Sequence, residues 1–285
     1  AETIAREILK LQASGVALSE IALLIRQPES ALETLEVVFT RYDLPLQGEA
    51  SLPLERSWRV RWLMQGLKLL AGMGEGMDWL HWLAHPVHCL PYEALDRLRQ
   101  QVRKRIPAHR WLQQASQNTS DPDMLHLLSE LRSLRQHLQD GELPQVARAL
   151  LQRLTQTDAP TGPDTDLIEW LSLIHAYSNA WRNRTPAQAV ELLEQLVMGA
   201  RYTHKLSGQG VRLIPMEYAD LTDARIAFAM GILEGNLPKR CPDDPFLRES
   251  ERNALNEALA PHSVWLPTRA EAQAAEPMLF QRLLH

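Results

Sequence analysis

Three short apolar runs constrain this chain most: Ile21 to Ile25, Val211 to Pro215 and Ile226 to Ile232. Each is too short for an ordinary helix, and polar residues, Gly or Pro close it. Runs of this kind read as strands buried in a sheet. The last run meets Glu234, Gly235, Asn236 and Pro238, a turn signal at a strand end. Open α/β sheets place ligand-facing loops at such ends. From about residue 50 to residue 211 strand-like runs largely vanish and helical periodicity takes over. One sheet drawn from both ends of the chain makes the middle an insertion.

The flanks fit that plan. Ile4, Ile8 and Leu11 recur at helical spacing, and Gly15 ends this helix. After Arg26 the turn Gln27-Pro28-Glu29-Ser30 leads to a helix over residues 31–41, with Ser30 as its expected cap. Tyr42 to Leu46 reads as a second strand, closed by Gly48. From about residue 56 to 205 the leucines recur at spacings of three and four, with no fixed repeat period, in short helices with polar joins. Residues 201–210, RYTHKLSGQG, read as a hinge back into the α/β part, and helices over about 248–260 and 269–284 finish the chain. The expected domains are therefore 1–55 with 206–285, and 56–205.

Charge and cysteine content narrow the function classes. The formal net charge is -5, so a nucleic-acid surface would have to be a local patch. Cys89 and Cys241 are isolated, which excludes a disulfide framework and fits a cytoplasmic location. No apolar run approaches the roughly 20 residues of a membrane span. The helical character of both chain ends suggests cuts in a larger protein. No Gly-x-x-x-x-Gly-Lys-Ser/Thr phosphate loop, Gly-x-Ser-x-Gly or Ser-x-x-Lys motif occurs. His81, His85, His88 and Cys89 are spaced too tightly for four tetrahedral ligands and read as structural, so no metal site is expected.

Two segments carry a family resemblance. Residues 19–54, SEIALLIRQPESALETLEVVFTRYDLPLQGEASLPL, resemble the strand ending in Arg, helix and Gly-Ile-Pro-Leu-like strand of the second motor lobe of UvrD/Rep-type superfamily 1 helicases. Residues 224–247, ARIAFAMGILEGNLPKRCPDDPFL, resemble the strand of that lobe with its Glu-Gly turn and Asp-Pro-Phe-Leu. The carried-over positions are Gly231, Glu234, Gly235, Pro238, Asp244, Pro245 and Phe246. The likeness is greatest to AddB- and RexB-type subunits of bacterial ATP-dependent deoxyribonucleases. It implies a RecA-like parallel-sheet lobe interrupted by a large all-helical insertion, with a nucleotide phosphate near Arg26 and DNA near the Glu-Gly turn. The Thr-x-His-x-x-Lys-Gly of active helicases is missing: Leu213 to Asp220 stand there instead. The resemblance therefore implies a lobe degenerate in ATP use. ATP and magnesium would belong to the full-length protein or its complex, with no cofactor in this stretch.

Candidate contacts follow. Arg26 ends a buried strand, and its planar fork suits an oxyanion or a carboxylate. The strongest basic run lies on an expected helix over 97–110, where Arg103, Lys104 and Arg105 are the DNA-contact candidates, with Trp111 following. Arg201 and Lys205 at the hinge, and Lys239 and Arg240 after the Glu234-Gly235-Asn236 turn, would form a small basic rim. Each cluster reads equally as solvated surface.

Three functions stay open. The first is a DNA-binding or scaffolding lobe of a helicase–nuclease-type repair or recombination protein, not catalytic as this stretch. Its partners would be single-stranded or forked DNA, the rest of the same polypeptide and a second motor or nuclease subunit. The second is a protein-docking scaffold without DNA. The third is an active helicase lobe completed by a preceding motor domain.

Overall fold

The computed structural model describes residues 1–26, 28–101, 106–157, 164–181, 184–207, 209–221, 223–233, 237, 239, 244, 247–262 and 264–282. The chain divides into two compact units. One comprises residues 1–50 and 205–285, the other residues 51–204.

The first unit begins with α1 (Glu2–Ala13), β1 (Ile21–Ile25), α2 (Pro28–Arg41) and β2 (Leu46–Pro53). The second holds α3 (Trp58–Leu70), α4 (Gly76–Leu83), α5 (Tyr92–Gln101), α6 (Ala108–Asn118), α7 (Pro122–Gln139), α8 (Leu143–Thr157), α9 (Thr165–Ala176), α10 (Ser178–Trp181) and α11 (Pro186–Gly199). The chain then continues through β3 (Arg201–Ser207), β4 (Val211–Pro215), β5 (Ile226–Met230), α12 (Glu249–Leu259) and α13 (Arg269–Arg282). The boundary between the units falls within β2 and β3.

Among the described residues the sheet has five strands in the order β3-β2-β4-β1-β5. β1 pairs in parallel with β4 and with β5, and β2 pairs in parallel with β4. This is an α/β architecture with a mostly parallel sheet. β1 is buried at every position because both of its faces are covered, as expected for a continuous apolar run in a parallel sheet. Ala22 and Leu24 face a cluster of Met216, Ala219 and Leu237, with Leu279 of α13 beside it. Ile21, Leu23 and Ile25 alternate to the opposite face, and α2 packs over β4. The edge strand β5 stays half-buried.

Several local expectations change. α2 starts at Pro28, so Ser30 lies inside the helix instead of capping it; Pro suits a first turn because its missing N–H has no helical partner there. Gly48 does not close a strand: β2 starts at Leu46 and runs through it. A Cβ on Gly48 would sit 2.8 Å from the Leu213 carbonyl oxygen of β4, at φ +148°, so glycine allows the two backbones to approach. Residues 201–207 form β3, not a hinge, because neighbouring β2 satisfies their backbone groups. The expected helix over 97–110 is interrupted: α5 ends at Gln101, and α6 starts at Ala108, with Pro107 at the position before it.

The second unit has its own core. Trp79, Trp111, Trp170 and Trp181 are fully buried among leucines from all its longer helices. Trp62 stacks on Trp82 with ring centroids 4.9 Å apart, and Trp79 on Trp111 at 5.7 Å. α11 starts with Thr185, whose hydroxyl accepts the Gln188 N–H in a capping box, followed by Pro186.

Candidate functional site

The C-terminal end of β1 carries the most organised polar group of the first unit. Arg26 follows the strand directly, so its side chain emerges where a parallel sheet exposes its ligand end. Both terminal nitrogens donate to Glu276 of α13, Nη1 to Oε2 at 2.7 Å and Nη2 to Oε1 at 2.5 Å. The backbone N–H of Lys239 donates to Glu276 Oε2 at 2.8 Å. Gln273, one turn earlier on α13, donates to the Lys239 carbonyl at 3.4 Å. The Arg26 and Glu276 side chains retain only 17% and 8% of their exposure. Burial alone would push the Glu276 carboxyl up. Arg26, the Lys239 N–H and the charge of Lys239 outweigh that and hold it below the usual carboxylate range. A forked, charge-assisted pair with a third donor is among the strongest neutralisations of a carboxylate available to a protein. In chemical terms this is an oxyanion seat, and the chain's own carboxylate fills it. As it stands, the arrangement does not fit a nucleotide phosphate at Arg26.

The other candidates are dispersed. Arg201 on β3 donates from Nε to Ser51 Oγ at 3.0 Å and from Nη2 to the Ser51 carbonyl at 2.6 Å. Lys205 lies 3.5 Å from Glu49 across exposed strands. Glu49 thus offsets the charge of Lys205, whereas the Ser51 groups that Arg201 meets are neutral and fix its position without offsetting its charge. Lys239 contributes its main chain to the Glu276 seat. Arg103, Lys104, Arg105, Glu234, Gly235, Asn236 and Arg240 lie outside the described residues.

The second unit contains two further polar features: an Arg–Asp network that residue spacing did not single out, and His88, which spacing read as structural. Arg59 of α3 is held by Asp164 and Asp166 at the start of α9. Its Nη1 donates to Asp164 Oδ1 at 2.6 Å, its Nε to Asp166 Oδ2 at 3.0 Å, and its Nη2 to Asp166 Oδ1. Ser57, which caps α3, adds a 2.5 Å bond from its hydroxyl to the buried Asp166. This network joins two helix starts and closes on itself. His88 sits in a nest of tryptophans, its ring centroid 4.3 Å from Trp82 and 5.4 Å from Trp62. Neither ring nitrogen has a hydrogen-bond partner among the described residues. Burial, with the nearby charges of Arg153 and His85, pushes its pKa down to about 3. His85 stacks on Trp58 at 5.4 Å. Among the described residues no group of three His, Cys, Asp or Glu side chains is placed to hold a metal ion.

Glu276 and Asp166 escaped sequence reasoning for the same reason. Each is one acid among many, with its partner 250 or 107 residues away. No local spacing marks such a pair.

Fold and site together define an α/β chain whose sheet is assembled from both ends of the sequence, with a separate all-helical unit between them. No protein-family model matches the chain, and a search of the curated proteins finds no match. No helix among the described residues is long and apolar enough to cross a membrane.

Proposed function

We propose that the chain is a DNA-guiding or scaffolding lobe of a helicase–nuclease-type repair or recombination protein, without catalysis of its own. The observation that carries this proposal is a juxtaposition. The two segments that resemble the second motor lobe of superfamily 1 helicases supply β1 and β5, which lie side by side in parallel although about 200 residues separate them. A lobe interrupted by a helical insertion requires that pairing. The missing Thr-x-His-x-x-Lys-Gly, with Leu213 to Asp220 in its place, and the pairing of Arg26 with Glu276 favour a lobe degenerate in ATP use. In such a protein the DNA would meet the helical unit through Arg103, Lys104 and Arg105, and a second subunit would supply the motor.

One set of observations favours a protein-docking scaffold instead: the net charge of -5, and the pairing of Lys205 with Glu49. Fluorescence anisotropy of the full chain with labelled single-stranded, duplex and forked DNA separates the two. The expected result is saturable binding that weakens steeply with salt and falls at least tenfold when Arg103, Lys104 and Arg105 are changed to Glu; three lost phosphate contacts also flatten the salt slope by about 2 to 3 units. Absence of binding at low salt and micromolar protein overturns the DNA proposal and leaves the scaffold.

A further inference from the structure

The geometry at the end of β1 gives the Arg26 fork to a carboxylate of the same chain. We infer that Glu276 is the resident occupant of an oxyanion seat at the end of β1, and that while α13 is docked it keeps phosphate-type anions off Arg26. The seat is built from the Arg26 fork and the Lys239 N–H, three donors converging on two carboxylate oxygens at 2.5 to 2.8 Å. It is nearly closed to solvent, with the Glu276 side chain 8% exposed. This inference stands on that geometry and does not depend on DNA binding.

Charge and shape both point to an oxyanion of the phosphate class as the alternative occupant. Two cations, Arg26 and Lys239, act on the single negative charge of Glu276. A phosphate group carries roughly −1.5 to −2 at neutral pH and presents three acceptor oxygens. It would balance both cations and still accept from the fork and the N–H. Glu276 prevails because it is tethered: α13 holds it at an effective concentration of millimolar or more, which a dilute free anion does not match. α13 also seats Leu279 against the apolar cluster under β1, so its docking and the filling of the seat are one event. Arg26 is therefore a positioning residue for α13 in this chain.

Isothermal titration calorimetry with inorganic phosphate, at constant ionic strength and on the full chain, tests the inference. The expected results are no binding to the wild-type chain, saturable binding to Glu276→Ala, and binding weakened at least tenfold in the Arg26→Ala/Glu276→Ala double variant. Sulfate replaces phosphate in Glu276→Ala, whereas chloride does not. If Glu276→Ala fails to fold in chloride buffer, recovery of folded protein in phosphate supports the inference, and failure in both buffers overturns it. A folded Glu276→Ala that ignores phosphate reduces the pair to a structural ion bridge and overturns it. Phosphate binding by the wild-type chain that Arg26→Ala abolishes also overturns it, because the seat would then be open.

Discussion

His88 shows how one side chain ties stability to pH. Its ring is neutral in the folded state, with a pKa near 3, while the unfolded ring takes up a proton near 6.5. Above 6.5 both states are neutral and the group has no effect. Between about 6.5 and 3 only the unfolded state is protonated, so acid favours unfolding by about 1.4 kcal/mol per pH unit. Urea unfolding of the second unit, followed by tryptophan fluorescence, is expected to show this slope. His88→Phe keeps a ring between Trp62 and Trp82 and is expected to remove about one proton's worth of it; an unchanged slope would show that His88 titrates normally. Glu276 acts in the same direction through a different mechanism. Its carboxyl pKa is depressed, so its contribution is full above the ordinary carboxylate value and fades as pH falls below it. The type of His88 was visible in sequence. Its burial was not, because no spacing rule reports which helix will cover a loop residue.

Within α3, Gly66 illustrates how packing overrides propensity. Alanine in a helix interior gains up to about 1 kcal/mol over glycine. At Gly66, however, a Cβ would come within 2.7 Å of the Trp82 ring, which is fixed by its stack on Trp62 and by its indole N–H donating to the Trp62 carbonyl. Overpacking of this kind costs about 1 to 3 kcal/mol. Gly66→Ala is therefore expected to lower the stability of the helical unit by about 1 kcal/mol in urea melts, and a stabilised variant would mean that Trp82 moves freely. Helix starts were legible in sequence where a cap and a proline coincide, as at Asp121-Pro122 and Thr185-Pro186. They were misplaced where the proline alone begins the helix, as at Pro28. β3 was missed because its residues are polar. An edge strand needs only a neighbouring backbone to pair with, not an apolar pattern.

Across the whole chain the two units differ in how they depend on sequence order. The helical unit is one continuous stretch, residues 51–204, with a large core of its own. Expressed alone it is expected to fold and unfold cooperatively, with near-native far-UV circular dichroism and buried tryptophan emission; a molten, non-cooperative transition would contradict this. The sheet unit is discontinuous. Both neighbours of β1 come from beyond residue 210, so residues 1–50 alone have no sheet to join.

Short, largely apolar runs bounded by polar residues, Gly and Pro identified β1, β4 and β5; β1, covered on both faces, is buried at every position, whereas β4 and β5 are buried only in part. Leucine periodicity likewise marked a long helical middle. These patterns are local, and local patterns are legible in one dimension. The strand order, which inserts β4 between β2 and β1, and the Glu276 carboxylate at Arg26 depend on segments that meet only when the chain closes on itself. Pairings over such distances leave no periodic trace, because geometry and charge select the partner after the fold has brought the segments together.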